Sequence, residues 1–251
     1  MEFRKIFDTI PEQFDRFRPR YCAGLFADLI AYASVGPGAK VLEIGPGTGQ
    51  ATEPVLDIGC EYHAIELGEH LCETMCRKYG QRPNFHIVND DFITHDFGDQ
   101  QFDLIYSAAT IQWIPEEIAF SKTFSLLKPG GTLAMMLTRS DFRTPDEERY
   151  QRIQQVYAQY FKPETHYAQR FRYLAAPDYG YEQFETREYP GRRELTAEEY
   201  AAYCGTHCDH LTIPEPYRTA FFDGLRDAVL ASGTSLVFLD THVLYLARKP
   251  G

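Results

Sequence analysis

The sequence predicts an α/β protein built on a doubly wound, mostly parallel sheet, and three observations carry that expectation. A short run, Val41-Leu42-Glu43-Ile44, passes directly into Gly45-Pro46-Gly47-Thr48-Gly49. Apolar runs alternate with amphipathic stretches through residues 40–138. A carboxylate, Glu66, ends the next apolar run, 21 positions beyond Gly45. A short apolar, β-branched run suits a strand covered on both faces. Glycines lacking Cβ permit a tight turn and let backbone N–H groups approach a ligand, and a helix opening after them favours anionic or polar groups. Alternating strand and helix is the pattern of a parallel sheet with its ligand across the carboxyl ends of the strands.

After the glycine loop, "CEYHAIEL" (60–67) reads as a second strand and "GEHLCETMCRKYG" (68–80) as a helix. "NFHIVND" (84–90) and "QFDLIYSAA" (101–109) give strands three and four. "PEEIAFSKTFSLL" (115–127) is an amphipathic helix, and "KPGGTLAMML" (128–137) is a turn followed by a fifth strand. Further helices are expected around 146–160, 196–209 and 215–231, capping the carboxyl edge of the sheet. "FETREYP" (184–190) and "LVFLDTHVLYLARK" (236–249) supply the last two strands.

The chain of 251 residues can bury a sizeable core, and no linker or repeat divides it, so one domain spanning 1–251 is expected. Hydrophobic residues at 44% and charged residues at 24% fit a folded soluble protein. Neither a signal-type apolar segment nor a run of about 18 apolar residues is present, which predicts a cytoplasmic protein with no membrane partner. A net charge of -11 opposes the long-range attraction used by nucleic-acid binders, so no nucleic-acid partner is expected.

Six cysteines at 22, 60, 72, 76, 204 and 208 lack the density of a disulfide scaffold and read as reduced thiols. In "CGTHCDH", Cys204, His207 and Cys208 would share a helix face, with His210 nearby. Zinc uses such ligands, but no paired C-x-x-C knuckle supports it, and no metal is expected.

The glycine loop is not a full dinucleotide fingerprint, because Gln50 stands where the third glycine of G-x-G-x-x-G belongs. E-x-G-x-G-x-G, from Glu43 to Gly49, instead resembles the first motif of class I S-adenosylmethionine-dependent methyltransferases. "VLEIGPGTG", Glu66, "NDDF", "FDLIYSAATIQWI" and "LLKPGGTLAM" follow one another as in that family. "SAATIQWIP" and "FDRFRPRY" are similar to the corresponding segments of the trans-aconitate methyltransferase-like small-molecule group.

The resemblance implies a Rossmann-like seven-stranded sheet, mostly parallel with an antiparallel last strand, plus helical lid insertions. The cofactor core would span about 35–138, and the lid and last strands 139–251. Carried over by residue, Gly45, Gly47 and Gly49 would meet the cofactor S-adenosylmethionine, with Glu43 supporting the loop. Glu66 would bind its ribose, though a solvated charge or helix cap reads equally from sequence. Asp91 and Phe92 would hold adenine, with a plain loop carboxylate as the alternative for Asp91. Ser107 would present its backbone carbonyl to the amino group, and Arg18 and Tyr21 would reach the cofactor carboxylate. Trp113, Tyr200, Tyr203 and His207 are the substrate-binding candidates, and His207 and His210 the candidate bases. Simple packing is the competing reading for Trp113 and both histidines.

The implied activity is methyl transfer to a small molecule, with no catalytic metal expected and relying mainly on proximity, and O-methylation of a carboxylate or hydroxyl is expected. "SAAT" replaces the Asn/Asp-Pro-Pro-aromatic grip of nucleic-acid base N-methyltransferases. Nine arginines between 139 and 193 offer bidentate carboxylate grips, although ten acidic residues between 141 and 194 accompany them and favour an ion-paired surface. A non-catalytic S-adenosylmethionine-binding sensor or inactive partner subunit is the alternative, a nucleotide-dependent oxidoreductase the third reading, and a homodimer is compatible with all three.

Overall fold

The computed structural model describes residues 3–168 and 170–251. Along the chain run α1 (Pro11–Phe17), α2 (Ala23–Ala33), β1 (Lys40–Ile44), α3 (Glu53–Leu56), β2 (Glu61–Glu66), α4 (Glu69–Tyr79), β3 (Phe85–Asn89) and β4 (Phe102–Ala108). There follow α5 (Glu116–Leu126), β5 (Leu127–Asp141), α6 (Glu147–Tyr160), β6 (Glu182–Thr196), α7 (Ala197–Cys204), α8 (Cys208–Leu211), α9 (Tyr217–Leu230) and β7 (Ser235–Arg248). Short 3-10 helices lie at Phe3–Thr9, Ile111–Trp113 and Tyr173–Tyr179.

The seven strands form one sheet in the order β3-β2-β1-β4-β5-β7-β6. Parallel registers join β1 to β2 and β4, β2 to β3, and β4 to β5. β7 runs against β5: Lys249 N–H donates to the Gly131 carbonyl at 2.8 Å, and Thr138 Oγ1 meets His242 Nδ1 at 2.9 Å. The chain leaves β1 toward β2 and β3, then returns to the other side of β1 at β4. The ends of β1 and β4 are therefore the switch point at which such sheets bind ligands.

Two compact units share the chain. The sheet unit comprises Pro19–Thr138, Gln169–Tyr189 and His242–Gly251; the helical unit comprises Met1–Arg18, Arg139–Ala168 and Pro190–Thr241. In the sheet unit, side chains alternate between two buried clusters with the period of two of a strand. Val41, Leu104, Tyr106, Ala134 and Met136 pack with α2, α3 and α4, whereas Leu42, Ile105, Leu133 and Met135 pack with α5. Each fully buried Leu, Ile or Met contributes about 1.5–3 kcal/mol, so a sheet covered on both faces is strongly held.

The helical unit gathers Ile153, Tyr200, Phe221, Leu225, Val229 and Phe238 into its own core. Asp146 caps α6 by accepting the Arg149 N–H at 2.9 Å, and Thr196 with Glu199 forms a capping box on α7. One helix expected over 196–209 is instead two. α7 ends at Cys204, Thr206 Oγ1 donates to the Tyr203 carbonyl at 2.6 Å, and α8 begins only at Cys208. A Cβ at Gly205 would lie 2.6 Å from Gln13 Nε2, which itself donates to the Ala202 carbonyl, so Gln13 would have to give way to any side chain there. Cys204, His207 and Cys208 consequently do not share one helix face.

Candidate functional site

Glycines at 45, 47 and 49 have φ of +64°, +60° and +89°, the left-handed region in which a side chain is strained. Gly45 N–H donates to the Ile65 carbonyl at 2.9 Å, and the Thr110 hydroxyl donates to the Gly45 carbonyl at 2.9 Å. A Cβ on Gly45 would lie 2.2 Å from Thr110 Cγ2, so β4's outgoing loop presses directly on β1's. The helix expected straight after Gly49 starts later, at Glu53, because Gln50 Oε1 accepts the Thr48 N–H at 3.3 Å and Gln50 Nε2 donates to Thr48 Oγ1 at 2.6 Å. Such local side-chain bonds compete with helix formation.

Glu66 is buried and accepts twice from backbone: Gly47 N–H at 2.9 Å on Oε2 and Gly68 N–H at 2.9 Å on Oε1. The carboxylate expected at the end of β2 is thus bound to the loop after β1 and to the start of α4. Beside it, Glu69, Cys72, Glu73, Cys76, Arg77 and Asn89 line an open groove.

Glu43 lies wholly buried in β1. Its Oε2 accepts from Thr52 Oγ1 at 2.6 Å and from the Tyr62 hydroxyl, while Oε1 has no partner among the described residues. Burial pushes its carboxyl up to about 7, against the opposing pull of the Thr52, Tyr62 and Tyr106 hydrogen bonds. The Tyr106 hydroxyl touches that of Tyr62 and donates to the Ala51 carbonyl at 3.3 Å. Sequence reasoning named Glu43 as the loop's support but missed Thr52, Tyr62, Tyr106 and Thr110. The only signal for them was polar groups in otherwise apolar positions on β2 and β4 and just past the glycines.

Asp91 Oδ1 accepts the Ile93 N–H at 2.9 Å. Phe92 is 4% exposed, its ring 5.8 Å from that of Phe97 with Lys122 Nζ 5.2 Å from its centroid. Ser107 is buried and donates its hydroxyl to the Ile44 carbonyl at 3.0 Å. Trp113 ends a 3-10 turn held by its N–H on the Thr110 carbonyl at 2.9 Å. The Tyr21 ring lies 5.6 Å from that of His242. The sheet unit thus brings Glu43, Gly45, Gly47, Gly49, Glu66 and Ser107 together around the ends of β1, β2 and β4.

The remaining candidates belong to the helical unit. Arg18 donates from Nη2 to the Thr206 carbonyl at 2.7 Å, with its guanidinium 5.1 Å from the Phe14 ring centroid. Tyr200 is buried against Phe238, their centroids 5.9 Å apart. Tyr203 meets His207 edge-on at 4.7 Å, and His207 stands 5.1 Å from His210. Burial, followed by the Arg18 charge, holds the His207 imidazole well below its usual range; burial brings His210 down to about 4. Both are neutral near pH 7. Arginines after 139 are largely committed: Arg143 to Glu147, Arg152 to Glu148, Arg172 to Glu116 and Arg193 to Asp240.

Residues 42–135 match the methyltransferase domain family. The chain is 44% identical over 55 residues to ribosomal RNA small subunit methyltransferase A of Synechococcus sp. (strain JA-3-3Ab), covering 22% of this chain and 20% of that protein. It is 28% identical over 135 residues to malonyl-[acyl-carrier protein] O-methyltransferase 1 of Ilyobacter polytropus, covering 53% of this chain and 47% of that protein. The chain therefore spans less than half the length of these curated relatives. A solved structure of Haemonchus contortus phosphoethanolamine N-methyltransferase 2, with phosphomonomethylethanolamine and S-adenosylhomocysteine, superposes with a TM-score of 0.60 at 15% identity. It covers 100% of this chain and 61% of that one. The fold is the Rossmann-like methyltransferase fold. No helix among the described residues is long and apolar enough to cross a membrane.

Proposed function

We propose that this chain is an S-adenosylmethionine-dependent methyltransferase acting on a small molecule, a carboxylate or hydroxyl that is methylated on oxygen. The observation that carries this reading is the left-handed glycine loop at the β1–β4 switch point, fastened by Glu66 to the start of α4. The residues present suit that cofactor: backbone of the loop can approach closely where a side chain would clash, and a buried carboxylate stands at the next strand's end. When bound, S-adenosylmethionine supplies an electrophilic methyl on a sulfonium.

The chain's own task is then to hold the acceptor in line and exclude water. Alignment alone is worth about 7 kcal/mol or more in well-oriented systems. A carboxylate acceptor needs no base, whereas a hydroxyl acceptor would need one. The malonyl-[acyl-carrier protein] O-methyltransferase relative supports an oxygen acceptor. The ribosomal RNA methyltransferase relatives pull toward nucleic acid, but the net charge of -11 and the Ser107-Ala108-Ala109-Thr110 end of β4 weigh against a polyanionic base acceptor.

Incubation of the purified chain with methyl-labelled S-adenosylmethionine and a metabolite mixture tests the reading. Label in a small acid or alcohol supports it. Cofactor binding with no labelled product from metabolites, RNA or protein would instead make the chain a sensor or an inactive partner.

A further inference from the structure

Cys204 closes α7, His207 precedes α8 and His210 lies within it. One ligand atom from each of the three lies within 4.8 Å of the other two. Between the end of α7 and the start of α8 the chain turns through Gly205 and Thr206, whose hydroxyl donates to the Tyr203 carbonyl. Cys208, which the sequence pattern offered as a ligand, is directed elsewhere: its thiol donates to Asp209 Oδ1 at 3.3 Å.

The hydrogen bonds assign the nitrogens. His207 Nδ1 lies 3.2 Å from the Cys204 carbonyl, which can only accept, so Nδ1 carries the proton and Nε2 keeps its lone pair. His210 Nε2 lies 2.7 Å from the Tyr157 hydroxyl, whereas its Nδ1 is buried with no hydrogen-bond partner among the described residues. The His210 side chain belongs to a residue only 8% exposed. Each ring therefore has one nitrogen committed to an outer partner and the other left as a donor, the arrangement by which metal-ligating histidines are oriented.

We propose that Cys204 Sγ, His207 Nε2 and His210 Nδ1 bind a divalent transition metal ion of the zinc type. One thiolate and two imidazoles suit such an ion and discriminate against magnesium and calcium, which take oxygen ligands. Binding forms an S–metal bond and releases the thiol proton to solvent. Arg18 opposes a dication here and Asp209 offsets it in part, since both fields reach His210. The ion would tie α8 to the end of α7, and it withdraws both histidines from acid–base work. That outcome suits an acceptor already anionic, although the metal site stands independently of the methyltransferase reading.

The test uses the untagged, chelator-treated full chain titrated with Co²⁺ alone. One equivalent should bind with a thiolate-to-cobalt charge-transfer band and tetrahedral visible bands, release about one proton, and yield to Zn²⁺. Cys204→Ser should abolish the charge-transfer band, and His207→Asn should weaken affinity at least tenfold, a loss of the size seen when a metal site is perturbed. Cys208→Ser should leave the band unchanged. Should Cys204→Ser fail to fold by circular dichroism, His207→Asn decides. No charge-transfer band in the folded wild type, a band that survives Cys204→Ser, or unaltered affinity in folded His207→Asn overturns the proposal.

Discussion

Glu66 and Gly47 are joined by a hydrogen bond of 2.9 Å from the loop amide to the carboxylate Oε2, while Oε1 accepts the Gly68 amide at the same distance. One side chain thereby fixes the glycine loop and the N-terminus of α4 together. Two amides held by one buried carboxylate make the loop's shape depend on a residue 19 positions away in sequence.

Glu66→Ala should weaken S-adenosylmethionine and S-adenosylhomocysteine binding while leaving the fold intact. The substitution removes the acceptor that fixes the loop; a loss of about 1–3 kcal/mol in binding free energy overall lowers affinity roughly 5- to 150-fold. Calorimetry with both ligands, and with NAD and NADP, measures this. Unchanged affinity in a folded variant removes Glu66 from the site, and tighter binding of a nicotinamide cofactor removes the methyltransferase reading with it.

Gly45→Ala should destabilise the protein by about 2–4 kcal/mol, combining roughly 1–2 kcal/mol of left-handed strain with overlap against the neighbouring side chain. A new Cβ would lie 2.2 Å from Thr110 Cγ2 and 2.8 Å from Thr110 Oγ1. Thr110→Ser in the same chain removes the methyl and keeps the hydroxyl on the Gly45 carbonyl, and should return about 1 kcal/mol. Urea unfolding of the four members of the cycle gives the coupling; strictly additive effects would contradict this packing.

Glu43 predicts a pH dependence of stability. Its folded pKa of about 7 lies above its ordinary value of 4.5, so the folded state binds the extra proton between those two pH values. The resulting stability is complete below about pH 4.5 and is lost as pH rises through about 7, amounting to roughly 3 kcal/mol at full size. Glu43→Gln cannot titrate and should lack this component. The difference in unfolding free energy between wild type and variant should therefore move against wild type from pH 5 to pH 8. A difference that is flat with pH would mean that Glu43 is ionised throughout.

Much of this was legible because it is written in local pattern. β1, β2, β4 and β5 declare themselves as short apolar runs, and the glycines after Ile44 announce a left-handed turn because few other residues tolerate one. What stayed hidden depends on distant partners. Nothing local to Tyr62 or Tyr106 says that their hydroxyls meet at Glu43, since the three residues come from different strands and only the sheet order places them side by side. The break at Gly205 was partly legible, since "CGTHCDH" holds only weak helix formers, but nothing local shows that Gln13, 192 positions earlier, lies against Gly205. Phe92 shows the converse case, an aromatic in a family-like motif whose ring the structure buries against Phe97.

The acceptor yields the last prediction. A chain with a net charge of -11 repels a polyanion over long range, and the arginines after 139 that are paired in surface bridges have little charge left to offset that. A small acid, by contrast, carries one or two charges, needs no proton removed, and is held by a few hydrogen bonds. Mass spectrometry after incubation with S-adenosylmethionine and separate pools of small carboxylates, phenols, RNA and whole proteome should therefore find the gain of one methyl in the carboxylate pool first. Because carboxylate ionisation is complete at neutral pH, the rate with such an acceptor should vary little between pH 6 and 8 wherever cofactor binding is saturated. A phenol product would bring a rate that climbs with pH and would require a base. Methylation confined to RNA would overturn the small-molecule assignment, while the loop, Glu66 and Glu43 predictions would stand on their own measurements.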